Sequence, residues 1–168
     1  MNVGYARHGS TGRAAGGDDE MGRTVTSGGL AALLLRLLLG SLFISHLYWK
    51  LIILPNGVAG WWSTLSANGY PDFVMAYVLS AEVFGALLLI PGVLTRYVAL
   101  YAMPMMLGAA HFWLERKGFY FTQAGAELPL VWLALLGLQV VAGDGSHALV
   151  ASPPLRRLLG RHEAGQAA

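Results

Sequence analysis

Apolar residues along this chain gather in four long blocks parted by short polar, glycine- and proline-bearing segments, without the three-to-four spacing of a water-soluble amphipathic helix. The first block, Leu30 to Leu54, would rise about 37 Å as an α-helix, more than the roughly 30 Å hydrocarbon core of a bilayer. Pro55, Asn56 and Gly57 end it. The second runs from Phe73 to Gly92 and the third from Tyr97 to Leu114. Only Val93, Leu94, Thr95 and Arg96 join these two, so they form an antiparallel hairpin. The fourth, Glu127 to Val141, is the shortest and stops at Gly143, Asp144 and Gly145. The pattern predicts an all-α protein, an integral membrane four-helix bundle with antiparallel up-down topology.

The flanks read differently. Met1 to Gly29 is rich in Gly, Arg, Ser and Thr and carries Asp18, Asp19 and Glu20, a composition that buries too little apolar surface to fold alone. It is expected to be a disordered tail (1–29), and Met21 offers a second start site within it. The four-span domain follows (30–143), then a C-terminal tail (144–168) with Pro153, Pro154, Arg156, Arg157 and Arg161 that is expected to be solvated or surface-bound. The first block is too long, and too far from the N-terminus, for the core of a cleavable signal.

Composition sharpens the picture: 55% of the 168 residues are hydrophobic and 12% charged, about half the charged share of a soluble domain, which points to lipid as solvent. The absence of cysteine excludes disulfides, thiolate-held metals and covalent c-type haem within this chain, so any redox centre must be dissociable or belong to a partner. The net charge of +2 does not mark a nucleic-acid site, because the basic residues flank the apolar blocks. Four spans would place Arg7, Arg13, Arg23, Arg96, Arg156, Arg157 and Arg161 on one side and Lys50, Arg116 and Lys117 on the other. Basic residues favour the cytoplasm, which predicts a multi-pass protein of the plasma or inner membrane with both termini inside. Trp61 and Trp62, in the segment reaching to Asp72, suit the headgroup layer.

Ionisable groups at bilayer depth cost about 2.5 to 3.5 kcal/mol and therefore stand out. Glu82 lies mid-span in the second block, out of snorkelling reach of either surface. Arg36, Phe43, His46 and Lys50 fall within about 80° of one another on the first helix at 100° per residue, forming one polar stripe. The carboxylate of Glu82 is expected to face that stripe, with His46 favoured by depth and Arg36 by reach. His111 and Glu115 are one helical turn apart, and Glu127 opens the fourth block, which makes the half of the bundle near Lys50 the chemically richer one. Each has a blander reading. Lys50, Glu115 and Glu127 sit where charges snorkel, Arg36 can reach lipid phosphates, and the histidines can be neutral packing groups. No metal set is read from these residues.

The ordered pieces resemble the DoxX family of small four-helix membrane proteins over roughly Leu33 to Leu149. Leu35, Arg36, Leu37, Leu38, Leu39 and Gly40 with Lys50 look like its opening span, and Gly69, Tyr70 and Pro71 like its Gly-x-Pro. The segment from Glu82 through Leu89 to Gly92, Val93, Leu94, Thr95 and Arg96 is similar to the family's Glu, apolar run, Gly and Thr-Arg. Glu127 matches its acidic start of the last span. The run Gly143 to Leu149 resembles its Gly-x-Gly ending, with Val150 where the family has Asp. The resemblance implies a membrane subunit linked to redox systems, of which thiosulfate:quinone oxidoreductase and oxidative-stress complexes are family examples.

Two readings follow. In the first, a quinone or its headgroup sits near Glu82, His46 and His111, with Arg36, Lys50, Arg96 and Glu127 as further binding candidates, and catalysis resides in a soluble oxidoreductase partner. In the second, the chain is a non-enzymatic scaffold or assembly factor whose polar groups lock the bundle. A transporter is a third class with little room in four spans unless chains assemble into a homo-oligomer.

Overall fold

The computed structural model describes residues 27–153; the remaining tail residues, with the expected N-terminal disorder and Arg7, Arg13, Arg23, Arg156, Arg157 and Arg161, lie outside the described residues. The described chain is all-α. Helix α1 (Ser27–Tyr48) continues into a π-helical turn (Trp49–Ile53), followed by α2 (Gly57–Ser66), α3 (Phe73–Leu88), α4 (Thr95–Lys117), a 3-10 turn (Phe121–Gln123) and α5 (Glu127–Ala142). By length and composition, α1 with its π turn and α4 are each long and apolar enough to cross a membrane, while α3 and α5 are shorter apolar helices.

The apolar pattern predicts a second helix running to Gly92, but α3 ends at Leu88. Pro91 has no N–H to continue the ladder, and Gly92 (φ 76°) and Leu94 (φ 48°) then reverse the chain through left-handed backbone. Nothing in the apolar pattern predicts helix α2. Its sequence holds two glycines, Ser, Thr and Val, all poor helix formers, and Asn56 before it supplies no side-chain cap. The loop that carries Trp61 and Trp62 is therefore a short helix.

The four longer helices pack as antiparallel neighbours in a ring. Along the seam of α1 and α3, Gly40 meets Ile90 just past α3, Phe43 meets Gly85, and Lys50 of the π turn meets Glu82. Phe43 and His46 meet Trp132 of α5, and Thr95 of α4 meets Gln139 of α5. Small residues set these distances: a Cβ at Gly85 would overlap the ring of Phe43. Leu39, Phe43, Ala81, Leu89, Ala99, Ala102 and Leu136 fill the centre. Each of these helices also turns large apolar side chains outward, among them Leu34, Leu87, Leu107 and Val141.

The segment read as a tail from residue 144 is instead part of the fold as far as Pro153. Val150 donates its N–H to the carbonyl of Gly92 and accepts from Leu94 N–H, a single bridge beside Val93. Ser146 N–H reaches Gly29 O at the start of α1. The beginning of α1, the α3–α4 turn and residues 143–153 thus form one end of the molecule, the terminal end. The π turn, α2 and the loop after α4 form the other, the loop end.

Candidate functional site

At the loop end the π turn brings Lys50 inward. Its signature is Leu54 N–H donating to Trp49 O at 2.8 Å, one residue further than an α-helical bond, and such turns are frequent at functional sites. The interfacial, snorkelling alternative for Lys50 does not hold, because the residue is only 3% exposed. Its Nζ donates to Glu82 Oε1 at 2.6 Å and lies 4.0 Å from the centre of the Trp61 ring. Glu82 is 1% exposed. The short contact is a charge-assisted hydrogen bond between two groups removed from water, and the ring face of Trp61 adds attraction for the ammonium.

His46 stands one helical turn before Lys50, with Nδ1 3.8 Å from the same carboxylate oxygen. Its side chain is 44% exposed, so it is the open edge of an otherwise closed cluster. Trp132 lies against it, ring centres 4.7 Å apart, and against Phe43 at 5.4 Å. The second carboxylate oxygen, Glu82 Oε2, is buried with no hydrogen-bond partner among the described residues. The expected approach of Glu82 to the polar stripe of α1 is therefore made, with Lys50 rather than His46 as the close partner.

Arg36 does not take part. It is 2% exposed at the terminal end, where Nη1 donates to Asp144 O at 2.8 Å and Nη2 to Ser146 O and His147 O at 3.0 Å each. The guanidinium thus collects the carbonyls left free past the end of α5 instead of pairing with Glu82. Asp144, just past the end of α5, in turn caps α4: its Oδ1 accepts from Thr95 N–H and Oγ1–H at 3.1 and 2.8 Å. Ser152 donates its N–H to Asp144 Oδ2 and its hydroxyl to Oδ1, both at 2.7 Å, and accepts from Arg96 N–H. Burial alone would raise the Asp144 carboxyl, but these bonds from Ser152 and Thr95 outweigh it and hold the pKa below its ordinary value. Gln139, fully buried, donates to Gly143 O at 2.6 Å and to Thr95 Oγ1 at 3.3 Å.

The remaining candidates are dispersed. Arg96 lays its guanidinium over Gly143 at the terminal end. The quinone reading of the sequence groups His111 with Glu82, but His111 pairs with Glu115 at 3.3 Å on an exposed face of α4, and among the described residues the ion-pair partners of Glu82 are Lys50 and His46. Glu127 closes its own loop by accepting from Phe121 N–H at 2.9 Å. The loop end is not the only polar half either, since the terminal end carries the denser network.

Sequence reasoning misses Trp61 and Trp132 as walls, and Thr95, Gln139, Asp144 and Ser152 as a network. The signals present are an amide in an apolar helix at Gln139 and an Asp between two glycines at Asp144; nothing local announces the two tryptophans. No curated protein and no solved structure matches the chain. The DoxX family profile matches residues 31–116, about half the chain, including nearly all of α1, the whole of α3, the Lys50–Glu82 pair, and nearly all of α4. On that match the chain belongs to the DoxX family, as a membrane protein built on apolar helices.

Proposed function

We propose that this chain is a four-span membrane subunit of a redox-linked complex, with a quinone-headgroup site at Lys50, Glu82 and His46 and the electron-transferring centre in a soluble oxidoreductase partner. The observation that carries this reading is the buried Lys50–Glu82 pair, with Glu82 Oε2 unpartnered among the described residues, Trp61 over Lys50, and the half-exposed His46, itself against Trp132, at its edge. A few convergent polar groups in apolar, aromatic walls are what a small-molecule headgroup site requires. The outward apolar side chains of all four longer helices support lipid on every side, with α3 and α5 crossing beside α1 and α4. Both termini then lie in the cytoplasm and the loop end faces outward.

The test is to purify the full chain in detergent and extract its lipids. The expected result is a quinone enriched over the bulk membrane, and a rise in melting temperature when a short-tailed quinone is added in either oxidation state. Neither enrichment nor any such rise overturns the reading.

The terminal end favours a second reading, a scaffold without a ligand. Arg36 and Asp144 there fasten two helices, α1 and α4, to the chain beyond α5 using protein groups alone. On that reading Glu82→Gln lowers yield and melting temperature, and variants that fold normally keep their cellular phenotype. A well-folded variant with a lost phenotype rejects the scaffold.

A further inference from the structure

Glu82 has more acceptor capacity than its surroundings use. Lys50 Nζ occupies Oε1 at 2.6 Å, and His46 Nδ1 also approaches Oε1, at 3.8 Å. Oε2 is buried and without a partner among the described residues. A carboxylate in an ion pair has lone pairs and no proton to give, so the missing partner is a donor. A buried acceptor without a donor is costly in an apolar interior, and a ligand that supplies the donor recovers that cost on binding.

We infer that the site selects an aromatic hydroxyl, so that the reduced hydroquinone form of a headgroup binds in preference to the quinone, its O–H donating to Glu82 Oε2. This rests on the headgroup reading above. A quinone carries carbonyl acceptors only, and placing one at Oε2 would oppose lone pairs. The hydroxyl form satisfies Oε2, and its ring is of the kind that packs against Trp61, which lies over Lys50, and Trp132, which lies against His46. His46, the most open member of the cluster, marks the side from which a ligand would approach, since Lys50 and Glu82 are closed.

The experiment is calorimetric titration of the full chain in detergent with two matched pairs: a decyl-tailed hydroquinone kept reduced against its quinone, and para-decylphenol against its methyl ether. The second pair removes oxidation state from the comparison. Both hydroxyl ligands should bind at least about tenfold more tightly than their counterparts. Glu82→Gln, which keeps the shape and loses the charge, should erase most of that preference. Equal binding within each pair overturns the inference and leaves the headgroup site standing; binding by none of the four overturns both. A folded Glu82→Gln variant with the preference intact removes Glu82 as its source. Should that variant fail to fold, the pairs on the unaltered chain decide alone.

Discussion

The Lys50–Glu82 pair is the residue-scale feature on which most else depends. Two charges buried together tolerate each other, but one left alone does not, because the survivor keeps its desolvation cost and loses the attraction that offset it. Lys50→Met should therefore destabilise the chain by about 3 kcal/mol, and combining it with Glu82→Leu should restore most of the loss. Thermal unfolding in detergent measures this; a double variant no better than the single one contradicts it. Gly92 is the second such position. Its φ of 76° is left-handed, and a Cβ there would overlap the guanidinium of Arg36, so Gly92→Ala adds backbone strain to a clash with a buried group. A loss of about 2 kcal/mol or more in the same assay is expected.

At the scale of elements, α4 begins without a cap of its own, since Leu94 precedes it in left-handed backbone. Asp144 and Ser152 supply that cap from the far side of α5. Asp144→Ala should cost about 1 to 2 kcal/mol and free the amides of Thr95, Arg96 and Ser152 to exchange with solvent. The pH dependence has a definite sign. The folded pKa of Asp144 lies below its ordinary 3.8, so the stabilisation is complete above that value and is lost as pH falls through the lower, folded one. Asp144→Asn, already lacking it, should lose less on acidification; melting curves from pH 6 down to about pH 3 compare the two. Helix α2 is held more lightly. None of its residues is buried, and Trp61 over Lys50 is a principal contact, with Asn68 just beyond the helix accepting from Arg116 at 2.6 Å. Trp61→Ala should make the 57–68 segment protease-sensitive while the rest of the chain stays protected, and uniform protection would count against α2 as a separately mobile element.

For the whole molecule the separation of two ends matters most, because topology decides what each polar centre can meet. Ser66 and Thr122 are exposed at the loop end and Leu149 at the terminal end, and the chain has no cysteine of its own. Single cysteines at Ser66 and Thr122 should react with a membrane-impermeant thiol reagent in intact cells, and one at Leu149 only after lysis. The reverse pattern inverts the protein and places the Lys50–Glu82 cluster toward the cytoplasm.

Much of this architecture is legible in the amino-acid sequence alone. Long apolar runs, bounded by Pro55, Gly57, Gly92 and Gly143, must become helices because apolar backbone has to satisfy its own hydrogen bonds, and four of the five α-helices among the described residues are legible that way. Glu82 against the stripe of Arg36, His46 and Lys50 is legible too, since a mid-span carboxylate needs a partner and helical geometry places those three on one face. Which of them it meets is not. Helices apolar on all sides carry no amphipathic stripe to set their rotation and offset, so packing alone decides that Lys50 reaches Glu82 and that Arg36 turns to the carbonyls after α5. The same reason hides α2, with its poor helix formers, and the capping of α4 by Asp144. Both are stabilised by contacts distant in sequence, Trp61 with Lys50 and Asp144 with Thr95, and such contacts exist only once the helices have packed.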